Sequence, residues 1–182
     1  RVAHLPAWDC LPYDRVSPSA AIMGARMAVA AGEPPHLLIL SVDSATQRLP
    51  RPASALPLAT GGDLDPEAFT ARLAALGYRL DEVVDEPGEA ALRGATLDIF
   101  PAAGTDLAPG HPWRLRLEEG RIAAVEPFDP ATQRSAGEAV ERIAIPPATE
   151  LVLPEDHPLL ADRPRGLVHW LPDLTAELVT AF

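Results

Sequence analysis

The sequence predicts a protein of mixed class, an α/β portion followed by an α+β portion. Three observations indicate this: a strand–helix–strand pattern near the start, a proline-rich stretch after it, and a helix followed by several strand-like segments. The chain has 182 residues, of which 47% are hydrophobic and 23% charged. This composition is typical of a globular protein that can bury one good core or two small ones.

The α/β portion is predicted to run strand, helix, strand. A short apolar run around His4 leads into a proline-containing loop. Ser17 suits the N-cap of the following helix, Pro18 its first position, and Gly32 lies just beyond its end. The continuous apolar run over 35–42 is typical of a strand buried on both faces, as in a parallel sheet.

The α+β portion begins after the proline-rich stretch 48–63, which is predicted to be a linker. Asp65 is then placed as the N-cap of a helix, with Pro66 in its first turn and Gly77 just past its end. This arrangement predicts a helix between Asp65 and Gly77.

Four strand-like segments follow that helix, over 78–84, 90–100, 113–128 and 141–147. Within the third, Glu119-Gly120 predicts a tight turn and therefore a β-hairpin. The antiparallel meander and its preceding helix give the α+β class. A short helix is predicted from Asp173.

Composition excludes several classes of function. The formal charge of −11 disfavours autonomous nucleic-acid binding, because a duplex is repelled overall. The 15 basic residues are all arginine, so neither a P-loop lysine nor a Schiff base is available and we expect no enzymatic activity and no cofactor. The single cysteine, Cys10, and five scattered histidines predict neither a disulfide nor a metal site.

Two further expectations concern context. The longest apolar runs are shorter than the roughly 20 residues that span a bilayer, which predicts a cytoplasmic location without a membrane partner. The chain starts at Arg1 without a methionine, which we interpret as a fragment of a longer protein.

A candidate binding surface comes from charges within the strand-like segments. If 90–100 is one continuous strand, Arg93 and Leu97 share a face and Asp98 lies on the other. Arg114 and Arg116 share one side of the hairpin strand. If the strands are neighbours, three arginines form a patch beside aliphatic residues, a composition typical of protein-binding surfaces. The alternative is a solvated sheet face whose arginines pair with nearby acids.

Two motifs carry a family resemblance. They are G-E-x-x-x-R-G-x-x-x-D-x-F-P from Gly88 and F-D-x-x-T-Q-R from Phe128. Together with the surrounding segments over 4–154, they resemble the N-terminal UvrB-homology module of the bacterial transcription-repair coupling factors, the Mfd family. UvrB shares the pattern but carries a long DNA-clamping hairpin, for which the short stretch 11–17 leaves no room.

The resemblance implies a domain organisation. Residues 1–55 would belong to a partial, degenerate helicase-like parallel α/β layer, and 151–182 would return to it. Residues 56–150 would form an inserted domain of antiparallel sheet and helix, similar to UvrB domain 2.

The resemblance also implies a function: the inserted domain would bind UvrA, the damage-recognition ATPase, and thereby recruit nucleotide excision repair to stalled RNA polymerase. The family's UvrA-contacting arginines fall on Arg93 and Arg114, and Leu97, Arg116 and Glu118 complete the expected partner-binding set. The chain departs from the family at two of these, with Arg116 in place of an acid and Glu118 in place of an aromatic.

Any catalytic activity would belong to other domains of the longer protein from which this chain would come. ATP and magnesium are expected only in its motor domains, and RNA polymerase and DNA would contact other parts of it. The alternative reading is a fragment of an ATP-dependent DNA translocase or helicase that contributes to motor function or to autoinhibition.

Overall fold

The computed structural model describes residues 1–11, 16–47, 49–50, 53–104, 110–152 and 178–179. Within them the fold is mixed α/β, with several sheets and few helices. The helix predicted from Asp173, and the return segment apart from 151–152 and 178–179, lie outside the described residues. In chain order the elements are β1 (Val2–Leu5), α1 (Ala20–Ala31), β2 (Leu37–Leu40), α2 (Val42–Thr46), β3 (Leu49–Pro50), β4 (Leu56–Ala59), α3 (Pro66–Ala75), β5 (Arg79–Leu80), β6 (Glu89–Arg93), β7 (Thr96–Phe100), β8 (Trp113–Glu118), β9 (Arg121–Asp129), β10 (Arg134–Ser135), β11 (Arg142–Ile145) and β12 (Leu178–Val179).

The order strand, helix, strand at the start of the chain is confirmed, and β1 pairs with β2 in parallel. The prediction that the second strand is buried on both faces is wrong, because Leu37 and Ile39 are about half exposed. These two strands form a sheet by themselves among the described residues. The wider parallel layer of a helicase-like domain is therefore not established.

Helix α1 begins two residues later than predicted. The side chain of Ser19, and not that of Ser17, caps it by accepting a hydrogen bond from the Ile22 N–H. The helix lies directly against the rest of the chain: a Cβ built on Gly24 would come within 2.5 Å of the Cβ of Ala102.

The main sheet has six strands in the order β10-β9-β8-β7-β6-β5. Neighbouring strands are antiparallel except for the short β5, which is parallel to β6. Helix α3 packs against one face of this sheet, and the core lies between them. The predicted start of α3 is confirmed, since Asp65 accepts from the N–H groups of Glu67 and Ala68.

The hairpin predicted at Glu119-Gly120 is confirmed. Both residues have positive φ, 50° and 76°, as a two-residue turn between twisted strands prefers. It joins β8 to β9, and a register shift at Arg116/Leu117 marks a bulge in this pair.

The prediction of one continuous strand over 90–100 is wrong. The chain turns back at Gly94, which has φ of +60°, so β6 and β7 form a hairpin. Arg93 now pairs with Thr96, and Asp98 lies on the same face as both. Leu97 points to the opposite face, into the core.

The end of the predicted linker is part of the folded domain. Strand β4, within 48–63, pairs antiparallel with β11, with Leu58 opposite Ile143. Both residues belong to the main core. The proline-rich composition therefore concealed a short strand at the edge of a two-stranded sheet.

A buried polar cluster, which we call the Arg26 clip, ties the start of the chain to the end of the described domain. The Arg26 Nε donates to Glu150 Oε1 at 2.6 Å, and the Trp8 indole N–H donates to the same oxygen at 2.8 Å. The Arg26 Nη1 also donates to the Pro6 carbonyl and to Gln47 Oε1. Arg26 and Glu150 are both buried.

The longest helix in the described part of the chain has 12 residues, and none there is long and apolar enough to cross a membrane.

Candidate protein-binding surface

Four charged residues share the side of the main sheet that faces away from α3. Register places Asp98 opposite Arg114 and Thr96 opposite Arg116, while Arg93 ends the neighbouring strand β6. We call this surface the arginine face and define it by Arg93, Asp98, Arg114 and Arg116. The condition under which the three arginines form one patch, that their strands are neighbours, is met.

Asp98 is the centre of the arginine face and is fully buried. Arg114 binds it with two parallel hydrogen bonds, Nε to Oδ1 at 2.7 Å and Nη2 to Oδ2 at 2.9 Å. Arg93 donates through Nη2 to the same Oδ2. The hydrogen bond to Asp98 raises the pKa of Arg114 above its ordinary value. Two guanidinium groups against one carboxylate leave the cluster with an excess positive charge.

Gln133 holds both arginines from the side. Its backbone carbonyl accepts from Arg114 Nη1 at 3.2 Å, and its Oε1 accepts from Arg93 Nη2 at 3.4 Å. Its own amide donates to the carbonyls of Val84 and Pro130, which fixes the side chain in place. Gln133 belongs to the second motif, and its place in the sequence alone indicated no role for it.

The ring of Phe128 packs against the guanidinium group of Arg114. The guanidinium carbon of Arg114 lies 5.1 Å from the centroid of the Phe128 ring, a cation–π arrangement. Phe128 is itself buried against Val84, Ala91 and the half-buried Phe100. The arginine face is thus backed by a small cluster of two aromatic and two aliphatic side chains.

The three arginines differ in exposure. The side chain of Arg114 is 16% exposed, that of Arg93 41% and that of Arg116 58%. Arg116 pairs across the strands with Glu126 at 2.6 Å, and Ser135 donates to the other oxygen of that carboxylate. The positive charge at Arg116 is therefore matched by an acid of the same sheet.

The two remaining predicted site residues are placed differently. Leu97 is fully buried in the core on the opposite face, because the turn at Gly94 reverses the strand. It is not part of the arginine face. Glu118 is exposed at the end of β8, on the side of Arg114 and Arg116, next to the hairpin turn.

Within the described ranges, no three His, Cys, Asp or Glu side chains come together in a group that could hold a metal ion. Cys10 is partly buried. The arrangement that the described residues do build is a pair of guanidinium groups hydrogen-bonded to one buried carboxylate at the edge of the surface, which suits recognition of an acidic group.

The part of the chain that forms this sheet is similar to a known protein family. The family model described as the UvrB interaction domain matches residues 56–151, just over half of the chain. These residues contain the six-stranded sheet, α3 and the whole arginine face.

Similar proteins carry one common name. The transcription-repair-coupling factor of Myxococcus xanthus is 33% identical over 164 residues, which is 86% of this chain and 13% of that protein. The corresponding protein of Escherichia coli K12 is 36% identical over 157 residues, or 82% of this chain and 13% of the relative. The chain thus spans a small part of the relatives that it matches.

The resemblance stated from the two motifs is confirmed by these comparisons. The family match spans the residues that form the arginine-bearing sheet and more than half of the chain, and the chain therefore belongs to the UvrB interaction domain family.

Proposed function

We propose that this chain is the UvrA-recruiting module of a transcription-repair coupling factor and that the arginine face is its contact surface. Membership of the UvrB interaction domain family supports a protein-binding role, and the names of the relatives support the context of transcription-coupled repair. The single observation that carries the assignment of the surface is the pair Arg93 and Arg114, held together on Asp98.

The physical character of the arginine face supports this proposal. Arginine is enriched at protein interfaces because its planar fork makes directional hydrogen bonds and its charge is weakly hydrated. Here both guanidinium groups are already hydrogen-bonded to Asp98 in the unbound chain, which lowers the side-chain entropy lost on binding. Their positive excess lies on a chain whose net charge is −11, so a local acidic group on the partner would recognise it.

In this proposal the chain itself has no catalytic role. ATP hydrolysis with magnesium, movement on DNA and contact with RNA polymerase are assigned to other parts of the longer protein. The absence of lysine from the sequence supports this division, because ATP-binding loops of the common kind use a lysine on the phosphates.

A titration of the purified chain with its cognate UvrA tests the proposal. Arg93→Ala and Arg114→Ala are each expected to cost at least about 2 kcal/mol of binding free energy, roughly thirtyfold in affinity. Arg121→Ala is the matched control, because Arg121 is also an exposed arginine on the same sheet and pairs with Asp63 outside the arginine face. Its affinity for UvrA is expected to stay within about twofold of the unchanged chain.

Thermal unfolding of each variant by circular dichroism separates lost binding from lost structure. Affinities of Arg93→Ala and Arg114→Ala equal to that of the unchanged chain would remove the arginine face from the contact. ATP hydrolysis by the purified chain would contradict the recruitment-only role and favour the motor fragment.

A further inference from the structure

We propose that Asp98 is a positioning residue that orients Arg93 toward a carboxylate of the bound protein without touching that protein itself. The inference rests on the proposed function of the arginine face and adds to it a division of labour among the three central residues, Arg93, Asp98 and Arg114.

Asp98 cannot contact a partner directly. It is fully buried, and both of its carboxylate oxygens accept hydrogen bonds from guanidinium groups of the same chain. A buried carboxylate with such partners acts on a binding surface only through the side chains that it holds.

Arg114 uses its hydrogen-bonding groups within the chain. Its Nε and Nη2 donate to Asp98, its Nη1 donates to the Gln133 carbonyl, and its ring-facing side lies over Phe128. This residue therefore fixes Asp98 in place and shields it from water. Its remaining 16% exposure offers a partner little surface, so the loss of affinity expected for Arg114→Ala comes mainly through Asp98 and the Arg93 that it holds.

Arg93 is different because only one of its three guanidinium nitrogens donates within the arginine face. Its Nη2 donates to Asp98 and to Gln133. Nε and Nη1 have no acceptor among the residues that the structure describes, and the side chain is 41% exposed. Arg93 thus presents charged donors outward from an anchored position, where a carboxylate of the partner can accept them.

The anchoring matters because a free arginine side chain loses much rotamer freedom when it is bound. Because Asp98 already restricts the rotamers of Arg93 in the unbound chain, less rotamer entropy is lost when a partner binds. Asp98 also balances two like charges that would otherwise repel each other and turn Arg93 away from Arg114.

Asp98→Asn in the full chain is the direct test, since asparagine keeps the shape and removes the charge. We expect its affinity for cognate UvrA to fall roughly fivefold to tenfold. Asp63→Asn is the matched control: Asp63 pairs with the exposed Arg121, and its loss is expected to leave affinity unchanged.

A double variant separates positioning from general damage to the fold. If Asp98 acts through Arg93, adding Asp98→Asn to Arg93→Ala weakens binding by less than about twofold more. If Asp98 only supports the fold, its effect multiplies with that of Arg93→Ala, and the proposal is overturned. Binding of Asp98→Asn at full affinity, with Arg93→Ala still weakened, overturns the proposal but leaves the function of the arginine face intact.

A measurement on the unchanged chain covers the case in which Asp98→Asn does not fold. Nitrogen relaxation of arginine Nε groups by NMR is expected to show Arg93 more ordered than the exposed Arg121 before any partner is added. Equal mobility of the two side chains would contradict positioning by Asp98. Unchanged UvrA affinity in Arg93→Ala would overturn this inference, and unchanged affinity in Arg114→Ala as well would overturn the function of the surface.

Discussion

The Arg26 clip and the arginine face use the same chemistry in two different ways. Each has a buried carboxylate, Glu150 in one and Asp98 in the other, bound by charged guanidinium groups. They differ on the arginine side: Arg26 is completely buried, whereas the side chain of Arg93 is 41% exposed. An arginine–carboxylate pair in which both side chains are buried can only stabilise the fold. A pair whose arginine is partly exposed can also bind an acidic group of another protein.

The surroundings of the two clusters explain the difference. Trp8 covers the Arg26 clip, with the Arg26 guanidinium carbon 5.5 Å from the centroid of the indole ring, and Gln47 Oε1 accepts from Arg26 Nη1. The arginine face has its aromatic ring, Phe128, beneath Arg114 and nothing equivalent above Arg93 among the described residues. The guanidinium group of Arg26 is thus enclosed by the chain, whereas that of Arg93 stays partly exposed.

The largest effect is expected from Arg26→Ala. Removing the arginine leaves Glu150 buried without its counter-charge, and breaking a buried pair in this way costs about 3–5 kcal/mol of unfolding free energy. Urea unfolding measures this, with Arg121→Ala as the exposed-pair control at less than about 1 kcal/mol. The UvrA affinity of the variant that remains folded should not change. A loss of unfolding free energy below about 1 kcal/mol for Arg26→Ala would show that the Arg26 clip is not a stabilising pair.

An intermediate effect is expected from pH. Burial raises the pKa of Glu150 above its ordinary 4.5, against the opposing influence of Arg26 and Trp8. A carboxyl with a raised pKa in the folded state favours folding while it is protonated, and this contribution is lost as pH rises through the folded pKa. From about pH 4.5 upward, the unfolding free energy of the unchanged chain should therefore fall relative to that of Glu150→Gln. Urea titrations of both proteins between pH 4 and pH 8 measure the difference, and a rise in place of a fall would show that Arg26 outweighs burial.

The smallest effect is expected from Arg116→Ala. Arg116 is the most exposed arginine of the arginine face, and its pair with Glu126 is of the kind that contributes less than about 1 kcal/mol to stability. Because Glu126 already neutralises the charge of Arg116, the UvrA affinity of Arg116→Ala should differ from that of the unchanged chain by less than about twofold. The same titration as for Arg93→Ala checks this. A loss as large as that of Arg93→Ala would move Arg116 from the edge of the contact to its centre.

Local signals predicted the parts of the fold that depend on neighbouring residues. Asp65, Pro66 and Gly77 bounded α3 because capping and helix-ending conformations are properties of single residues. The turn at Glu119-Gly120 was found for the same reason. The condition for the three arginines to form one patch, that their strands are neighbours, is also met, while their role in binding stays a prediction.

The parts that failed depend on contacts distant in sequence. Gly94 within an apolar segment is compatible with either a strand interior or a turn, and only the packing of β6 on β7 selects the turn. The wrong choice placed Leu97 at the surface and separated Arg93 from Asp98. The Arg26 clip could not be predicted, because Arg26 and Glu150 lie 124 positions apart and nothing in either local pattern relates them.

The turn at Gly94 also bears on how the molecule assembles. By reversing the chain there, it brings Arg93 and Asp98 together across five positions of sequence, and Arg114 joins from 16 positions away. Closing such short loops loses less chain entropy than closing the 124-residue loop of the Arg26 clip. The arginine face is therefore expected to form early in folding and the clip late, so that the surface offered to a partner is complete before the two ends of the domain are fastened to each other.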